Sequence, residues 1–499
     1  MQPGPTPGRA RRAARRAKRR RWPGFALLGA LIFAALGAAA VSLESLGVTP
    51  RLLAPYLERR ASGHNALIEG TAALASRWLL WADRGQLLPR AAYPSWAGAR
   101  AEADAPAAPP GRGRAVLVAT AADALAAFAR AEAGDTITFL PGTYRFSGHA
   151  LDLARAGRAD APIVVRAERL GQVVLEFELL EGFHVTAPHW LIENLVIQGA
   201  CRSHDGCEHA FHVVGAAQHV EIRNNVVRDF HAHVKINGAG GRFPDGGRIA
   251  FNTLVNGAPR RTDAPVTPID LVAASGWTIE GNLIADFVKA GGDRTSYGAF
   301  AKGGGSGNRL IGNVVLCEHR LRGAPGRRIG LSFGGGGSDP RLCRDRRCVV
   351  EHDDGLIANN LIASCSDEGI YLNRAARSAL LHNTVLDTAG VVVRFHESAA
   401  HAAGNLIDGA LRSRDGGTLD ADDNRTQWLA ASFVGLHPVR RLFADADELD
   451  LRWAGTPPRR AAAGEPATDL CGAPRAAPSA YGAFEDYRRC VERADAAQR

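Results

Sequence analysis

Lysine is nearly missing from this chain: of 60 basic residues only Lys18, Lys235, Lys289 and Lys302 are lysine, and arginine supplies the rest. A lysine kept against that bias is a candidate for what arginine cannot do, which is to lose a proton near neutral pH as a general base must. Aromatic residues are also few, 7% against 56 glycines, a balance that suits a turn-rich all-β body. No Gly-Lys-Ser/Thr follows the glycine run Phe333 to Asp339, which excludes a P-loop. That run lets backbone approach a ligand or turns a corner. The eight cysteines contain no paired Cys-x-x-Cys spacing, which argues against a cysteine metal centre. An excess of one charge is absent beyond the N-terminus. The net +9 is matched by nine basic residues within 1–22, where there is no acid, so nine minus nine leaves zero and no basic face for nucleic acid.

What the chain does contain is a returning phrase: apolar, any, any, Asn, small or apolar, apolar. It runs from Leu191-Ile192-Glu193-Asn194 through the phrases ending in Asn225, Asn252, Asn282, Asn313, Asn360 and Asn383 to a degraded copy ending in Asn405, at separations of 22 to 47 residues. A period in that range signals a solenoid. The phrase is too short and too β-branched for a helical repeat, and Gly, Asn and Asp punctuate it, so each unit reads as short strands joined by turns. Stacked units bury the apolar face that one unit cannot, with rungs ~4.8 Å apart and the Asn side chains in a ladder. The expectation is an all-β parallel β-helix whose unequal intervals are loops of unequal length.

In chain order, 1–22 reads as a basic cytoplasmic tail and 23–43 as an uncharged transmembrane anchor, with a cleaved signal as the alternative. Residues 44–90 read as a helical stalk, 91–114 as a linker, 115–410 as the β-helix and 411–499 as a C-terminal cap. The orientation rule then places a single-pass protein in the inner membrane, N-terminus inside and β-helix in the periplasm or outside. Export makes disulfides the expected state of the cysteines. Cys201 with Cys207 and Cys343 with Cys348 would close tight loops, and Cys471 with Cys490 would pin the cap. Cys317 and Cys365 fall at nearly the same place on successive coils, within disulfide reach.

From Ala115 the chain reads strand, amphipathic helix (121–133), then Gly134-Asp135-Thr136-Ile137 and Pro141-Gly142-Thr143-Tyr144. These residues resemble the opening of pectate-lyase-like β-helix proteins, including the chondroitinase-B and alginate lyase-like polysaccharide lyases. Asp469-Leu470-Cys471-Gly472 with Gly482-Ala483-Phe484-Glu485 is similar to their C-terminal signature. The resemblance implies a single-stranded right-handed β-helix with an N-terminal capping helix, and polysaccharide lyase activity.

Counting back from each Asn puts His212, Lys235, Asp270, Lys302, Tyr371 and Arg394 on one strand face, with Asn373 and His396 close by. A groove on such a face suits an extended acidic polysaccharide. β-Elimination on a uronate needs a base for the C5 proton, a cation on the carboxylate, and help at the leaving oxygen. Lys302 or Lys235 is the candidate base, Arg394 or the other lysine the neutraliser, with Tyr371 and His212 in supporting roles. Asp270, Asn373, His396, Asp367 and Glu368 are candidate substrate-binding residues. The segment His233-Val234-Lys235-Ile236-Asn237 is similar to the region carrying the catalytic Lys of chondroitinase-B-like lyases. Where that group places Arg on the next strand this chain has Asp270, and the group's calcium-binding Asn and Glu set has no counterpart, so calcium stays an open cofactor. His204-Asp205-Gly206-Cys207-Glu208-His209 with His212 reads as a disulfide-closed polar loop rather than a metal set, and no metal ligands are assigned. Asp353-Asp354 before Gly355 reads as a turn. The alternatives are a hydrolase or epimerase using Asp270, Asp367 and Glu368, or a glycan-binding envelope scaffold.

Overall fold

The structure is a computed structural model that describes residues 34, 37–90, 92–100, 113–335, 338–461 and 466–497. Each coil contributes three short strands, for example Glu221–Arg223, Val226–Arg228 and Ala232–Asn237. Each strand pairs in parallel with its counterpart one coil before and one coil after, giving sheets of 12, 11 and 10 strands. This is a parallel β-helix, as the resemblance implied. The apolar residue of the phrase stacks in register, Ile192 on Ile222, Ile249, Ile279 and Leu310. That column is fully buried, so every rung covers the next.

The Asn ladder is the polar spine of the stack. Asn282 Oδ1 accepts from Asn252 N (2.9 Å) and Nδ2 (3.0 Å), while its own Nδ2 donates to Ile249 O (2.9 Å) and Asn313 Oδ1 (3.0 Å). The same pattern joins Asn225 to Asn252 and Asn313 to Asn360, Asn383 and Asn405. The residue ahead of each ladder Asn has positive φ, as in Asn224, Gly281, Gly312, Asn359 and Gly404. Gly and Asn tolerate that conformation, which turns the chain between the first two sheets.

Two expectations need correction. Asn194 aligns with Asn224, not Asn225, and occupies the positive-φ turn position; Leu195 holds the ladder site, its N–H donating to Asn225 Oδ1. The ladder also runs one coil further, to Asn424, and the strands Ala410–Arg414, Thr418–Asp420 and Arg425–Thr426 extend the solenoid past residue 410. All four expected disulfides are present, with Cys317 and Cys365 bridging adjacent coils at a Cα separation of 4.8 Å.

The helix Ala121–Arg130 starts on a Thr120/Asp123 capping box and sets Phe128 against Phe139 and Phe183 at the open N-terminal end. Helices Pro50–Ala61 and Ala66–Arg84 dock on the side of the solenoid through a buried ionic network. Arg51 binds Asp83 (2.8 Å), Asp387 (2.9 Å) and the Cys365 carbonyl (2.7 Å). Arg84, Arg322 and Arg440 face the same Asp387. Residues 92–100 lie along the solenoid: Tyr93 Oη donates to Asp286 (2.6 Å), Trp96 packs on Phe484 and Tyr487, and Asn224 Oδ1 accepts from Arg100 N (2.8 Å). The C-terminal segment folds back over the outer face of the 11-stranded sheet, with Phe443, Leu451, Phe484 and Tyr487 against Leu283, Leu316 and Leu361. No helix among the described residues is long and apolar enough to cross a membrane. The 1–22 tail and most of the 23–43 stretch expected as an anchor lie outside the described residues.

Candidate functional site

The cap and docked helices leave the outer face of the 10-stranded sheet, built from the third strand of each coil, to carry the candidate residues. Alternation along a strand sends every second side chain outward. Cα pairing sets His184, His212, Lys235, Asp270, Phe300, Ser332, Tyr371 and Val392 in one line across the rungs. A second line, two residues further along each strand, holds Asn237, Val272 and Lys302, and then Asn373 beside Arg394. The single predicted row is therefore two adjacent rows. Lys302 and Arg394 sit in the second because their turns before the Asn phrase are one residue longer: they stand eleven residues ahead of Asn313 and Asn405, where their partners Val272 and Asn373 stand ten ahead of Asn282 and Asn383.

Lys235 Nζ donates to Asp270 Oδ2 at 2.8 Å, and Asp270 Oδ1 is buried without a hydrogen-bond partner among the described residues. Lys289 is likewise engaged, 2.8 Å from Asp293. Lys302 differs. Its Nζ lies 4.5 Å over the Phe300 ring, and it has no carboxylate at ion-pair distance among the described residues. The insertion in the longest interval roofs it: a side chain at Gly335 would meet Lys302 Cδ at 2.8 Å. That roof is fastened by Arg344, whose N–H donates to the Gly303 carbonyl and whose guanidinium grips both oxygens of Asp245 at 2.8 Å. Burial holds the Lys302 ammonium below the usual lysine range; Asp270 opposes that shift and Lys235 adds to it.

Two rungs on, ~10 Å at the rung spacing, Tyr371 Oη accepts from Asn373 Nδ2 (3.1 Å) and Arg394 Nη1 (3.2 Å). Arg394 also binds Asp415 and stacks on Phe395. Asp367 and Glu368 are buried side by side next to this group. Burial and the adjoining Glu368 carboxylate hold the Asp367 carboxyl well above the usual range. Between the clusters, Tyr297 and Phe300 give the sheet an aromatic floor with Phe243 at its edge. His396 stands apart, exposed in a loop 3.3 Å from Glu397. The His204 segment is a disulfide-closed loop, His204 Nδ1 accepting from Arg261 N. Asp354 takes the positive-φ turn position and Asp353 pairs with Arg377.

Sequence reasoning misses Glu181, His184 and Asp152. His212 Nδ1 lies 3.0 Å from Glu181 Oε1 and its Nε2 2.8 Å from Asn237 Oδ1, while Asp152 Oδ1 lies 3.0 Å from His184 Nδ1. His184 precedes the one phrase whose Asn is out of register, so the count back from that Asn passes it by. A cavity of about 480 Å³ beside Arg90, Asn256 and Arg320 lies off this sheet; an extended polymer needs an open face rather than a closed pocket.

The ladders define a parallel β-helix presenting one long polar and aromatic face. No protein-family model and no curated protein sequence matches the chain. Among solved structures it is similar to pectate lyase Pel9A, at 15% identity and a TM-score of 0.49 over 72% of this chain and 90% of that one. It is also similar to a rhamnogalacturonan lyase (12%, 0.38, covering 60% and 79%) and to an alginate lyase from Paenibacillus sp. strain FPU-7 (17%, 0.30, covering 63% and 99%).

Proposed function

We propose that this protein is a membrane-anchored, exported carbohydrate-active enzyme that cleaves a uronic-acid polysaccharide by β-elimination, with Lys302 as the base. The observation carrying this reading is the state of Lys302: an amine without a carboxylate partner, roofed and desolvated, on an outward strand face beside a second lysine. A lysine whose proton is loosened by burial can take the C5 proton of a uronate. Lys235 is the cation that meets the sugar carboxylate, exchanging Asp270 for it. Tyr371, with two donors on its oxygen, and Arg394 serve further along the polymer. Anchoring rests on the uncharged stretch 23–43 behind its basic flank.

The test is ultraviolet absorbance from unsaturated uronate after incubation with a panel of uronate polymers. Lys302→Arg keeps charge and length but not the ability to deprotonate, and is expected to lower kcat by about 10²–10⁴-fold. The wild-type rate should rise with pH along a limb centred below the ordinary lysine value of 10.5. An active Lys302→Arg enzyme refutes the assignment. The buried Asp367/Glu368 pair favours a second reading, hydrolysis, in which a protonated Asp367 is the acid. Its sign would be reducing ends without absorbance, lost in Asp367→Asn. Carboxyls close enough to share a proton are nearer than the ~5–5.5 Å of a retaining pair, which makes this reading the weaker one.

A further inference from the structure

The N-terminal end of the same sheet face carries an arrangement that neither lyase nor hydrolase chemistry uses. Glu181, His184 and His212 each offer a ligand atom, and these atoms lie within 4.8 Å of one another. All three project outward from strands of adjacent coils: Glu181 and His184 from Glu181–Val185, His212 from His209–Val214.

The orientation of the two imidazoles points to what the cluster holds. Asn237 Nδ2 donates to the Gly238 carbonyl at 3.1 Å, which fixes its amide and leaves Oδ1 facing His212 Nε2 at 2.8 Å. Nε2 must therefore carry hydrogen. On the other side of the ring Nδ1 lies 3.0 Å from Glu181 Oε1, yet it is buried and makes no hydrogen bond among the described residues. The two atoms face one point 3.0 Å apart, and a cation shared by both, either a proton or a metal ion, relieves their repulsion. His184 shows the same logic. Asp152 Oδ1 holds its Nδ1 at 3.0 Å and leaves Nε2 free for a ligand. A rear-side carboxylate or amide on each histidine is the outer shell that metal-ligating histidines have, because it sets the tautomer and aims the ring.

We infer that Glu181, His184 and His212 form a divalent metal site, with Asp152 and Asn237 as positioning residues, and that it takes a zinc-class ion. Two imidazoles and one carboxylate, with a position left for water or ligand, match that ion's preference. Calcium asks for six to eight oxygens. Bonds of ~2.0–2.1 Å in a tetrahedral site place ligand atoms about 3.3 Å apart, so the side chains close by a small rotation. The site lies one rung from Lys235, since His212 pairs with it, so a bound ion faces the same groove.

The experiment uses the full chain, solubilised and stripped with chelator, then titrated with Zn²⁺ calorimetrically and with Co²⁺ by its visible ligand-field spectrum. Expected is a single equivalent of either ion with a nitrogen-containing, low-coordinate Co²⁺ spectrum, and no comparable binding of Ca²⁺. His184→Ala and His212→Ala should abolish it, and Asp152→Asn should weaken it about tenfold or more. His401→Ala, a histidine paired with Asp420 elsewhere on the surface, should leave it unchanged. Because the mutated side chains point outward, thermal unfolding of the stripped variants should match that of stripped wild type. Absence of stoichiometric Zn²⁺ binding, binding that survives His212→Ala, or equal affinity for Ca²⁺ would overturn the inference. None of these readouts depends on turnover, so they stand or fall separately from the lyase assignment.

Discussion

Replacing Asn282 by alanine tests the ladder at its centre. The side chain is fully buried, and its loss leaves Asn252 N–H and the Ile249 carbonyl without the partners they have at 2.9 Å. Buried donors and acceptors left unpaired cost about 1–3 kcal/mol each, so two of them predict about 2–6 kcal/mol. The fitting comparison is Asn194→Gly, because Asn194 belongs to the same sequence phrase but sits in the turn position at φ 61°, where its side chain bonds Asn224 and the Ala167 carbonyl. Glycine keeps that backbone without strain, so this change should cost no more than about 1.5 kcal/mol. Thermal unfolding followed by circular dichroism ranks the two variants. Hydrogen exchange locates the damage, since solenoid stability is a nearest-neighbour property and protection should fall in the coils of Asn252, Asn282 and Asn313. Equal destabilisation by the two changes, or loss of protection spread evenly along the stack, would refute the register described here.

Arg51→Met removes the cation that joins the helical pair to the solenoid and leaves Asp83 and Asp387 short of their partner. A loss of about 3–5 kcal/mol and faster proteolysis within 44–90 are expected. Asp387 is buried, which by itself would raise its pKa, but Arg84, Arg51, Arg440 and Arg322 hold it far below the usual carboxylate range. Its folded value is depressed, so its contribution is present above the unfolded value of ~3.9 and is lost as pH falls through lower values. Proteolysis at 44–90 should therefore accelerate on acidification below about pH 4. Asp367 has the opposite sign. Its folded value is raised, so stability is lost as pH rises from ~3.9 through the folded value, and Asp367→Asn should raise the melting temperature at neutral pH but not near pH 4.

The β-helix is legible in the sequence because the ladder demands the same residue at the same place on every coil, and a requirement repeated along the chain leaves a period. The Cys317–Cys365 bridge is legible for the same reason. Asn194 misleads because an Asn suited to a positive-φ turn and an Asn suited to the ladder are one residue apart and identical in type. Asn424 is hidden by its polar flank, Asp422 and Asp423 before it and Arg425 after it, where the other copies have apolar neighbours. The candidate face is only half legible. Strand alternation puts Lys235, Asp270, Tyr371 and Lys302 on one sheet, but turn length decides which row each joins. The docking of residues 44–100 has no local signature at all, since Arg51 and Asp387 are more than three hundred residues apart and meet only through the coiling.

The division of labour between the two cations leads to one more expectation. Where this protein answers a buried framework carboxylate with a side-chain cation, that cation is repeatedly arginine: Arg51 and Arg84 around Asp387, Arg440 on Asp408, Arg328 on Glu318. Arginine suits that task because its planar fork satisfies two oxygens at once. The Lys235–Asp270 pair breaks the pattern, leaving Asp270 Oδ1 buried and unpartnered, a defect a guanidinium would repair. If the pair were only structural, arginine would be the better residue. A single-point contact is easier to open, which is what a uronate carboxylate entering the groove would require. Lys235→Arg is thus expected to keep or raise the melting temperature while lowering kcat/KM on the polymer by at least about tenfold, an effect of ~1.4 kcal/mol in transition-state binding. A variant as active as wild type would make Lys235 a framework cation and leave the groove without its neutraliser.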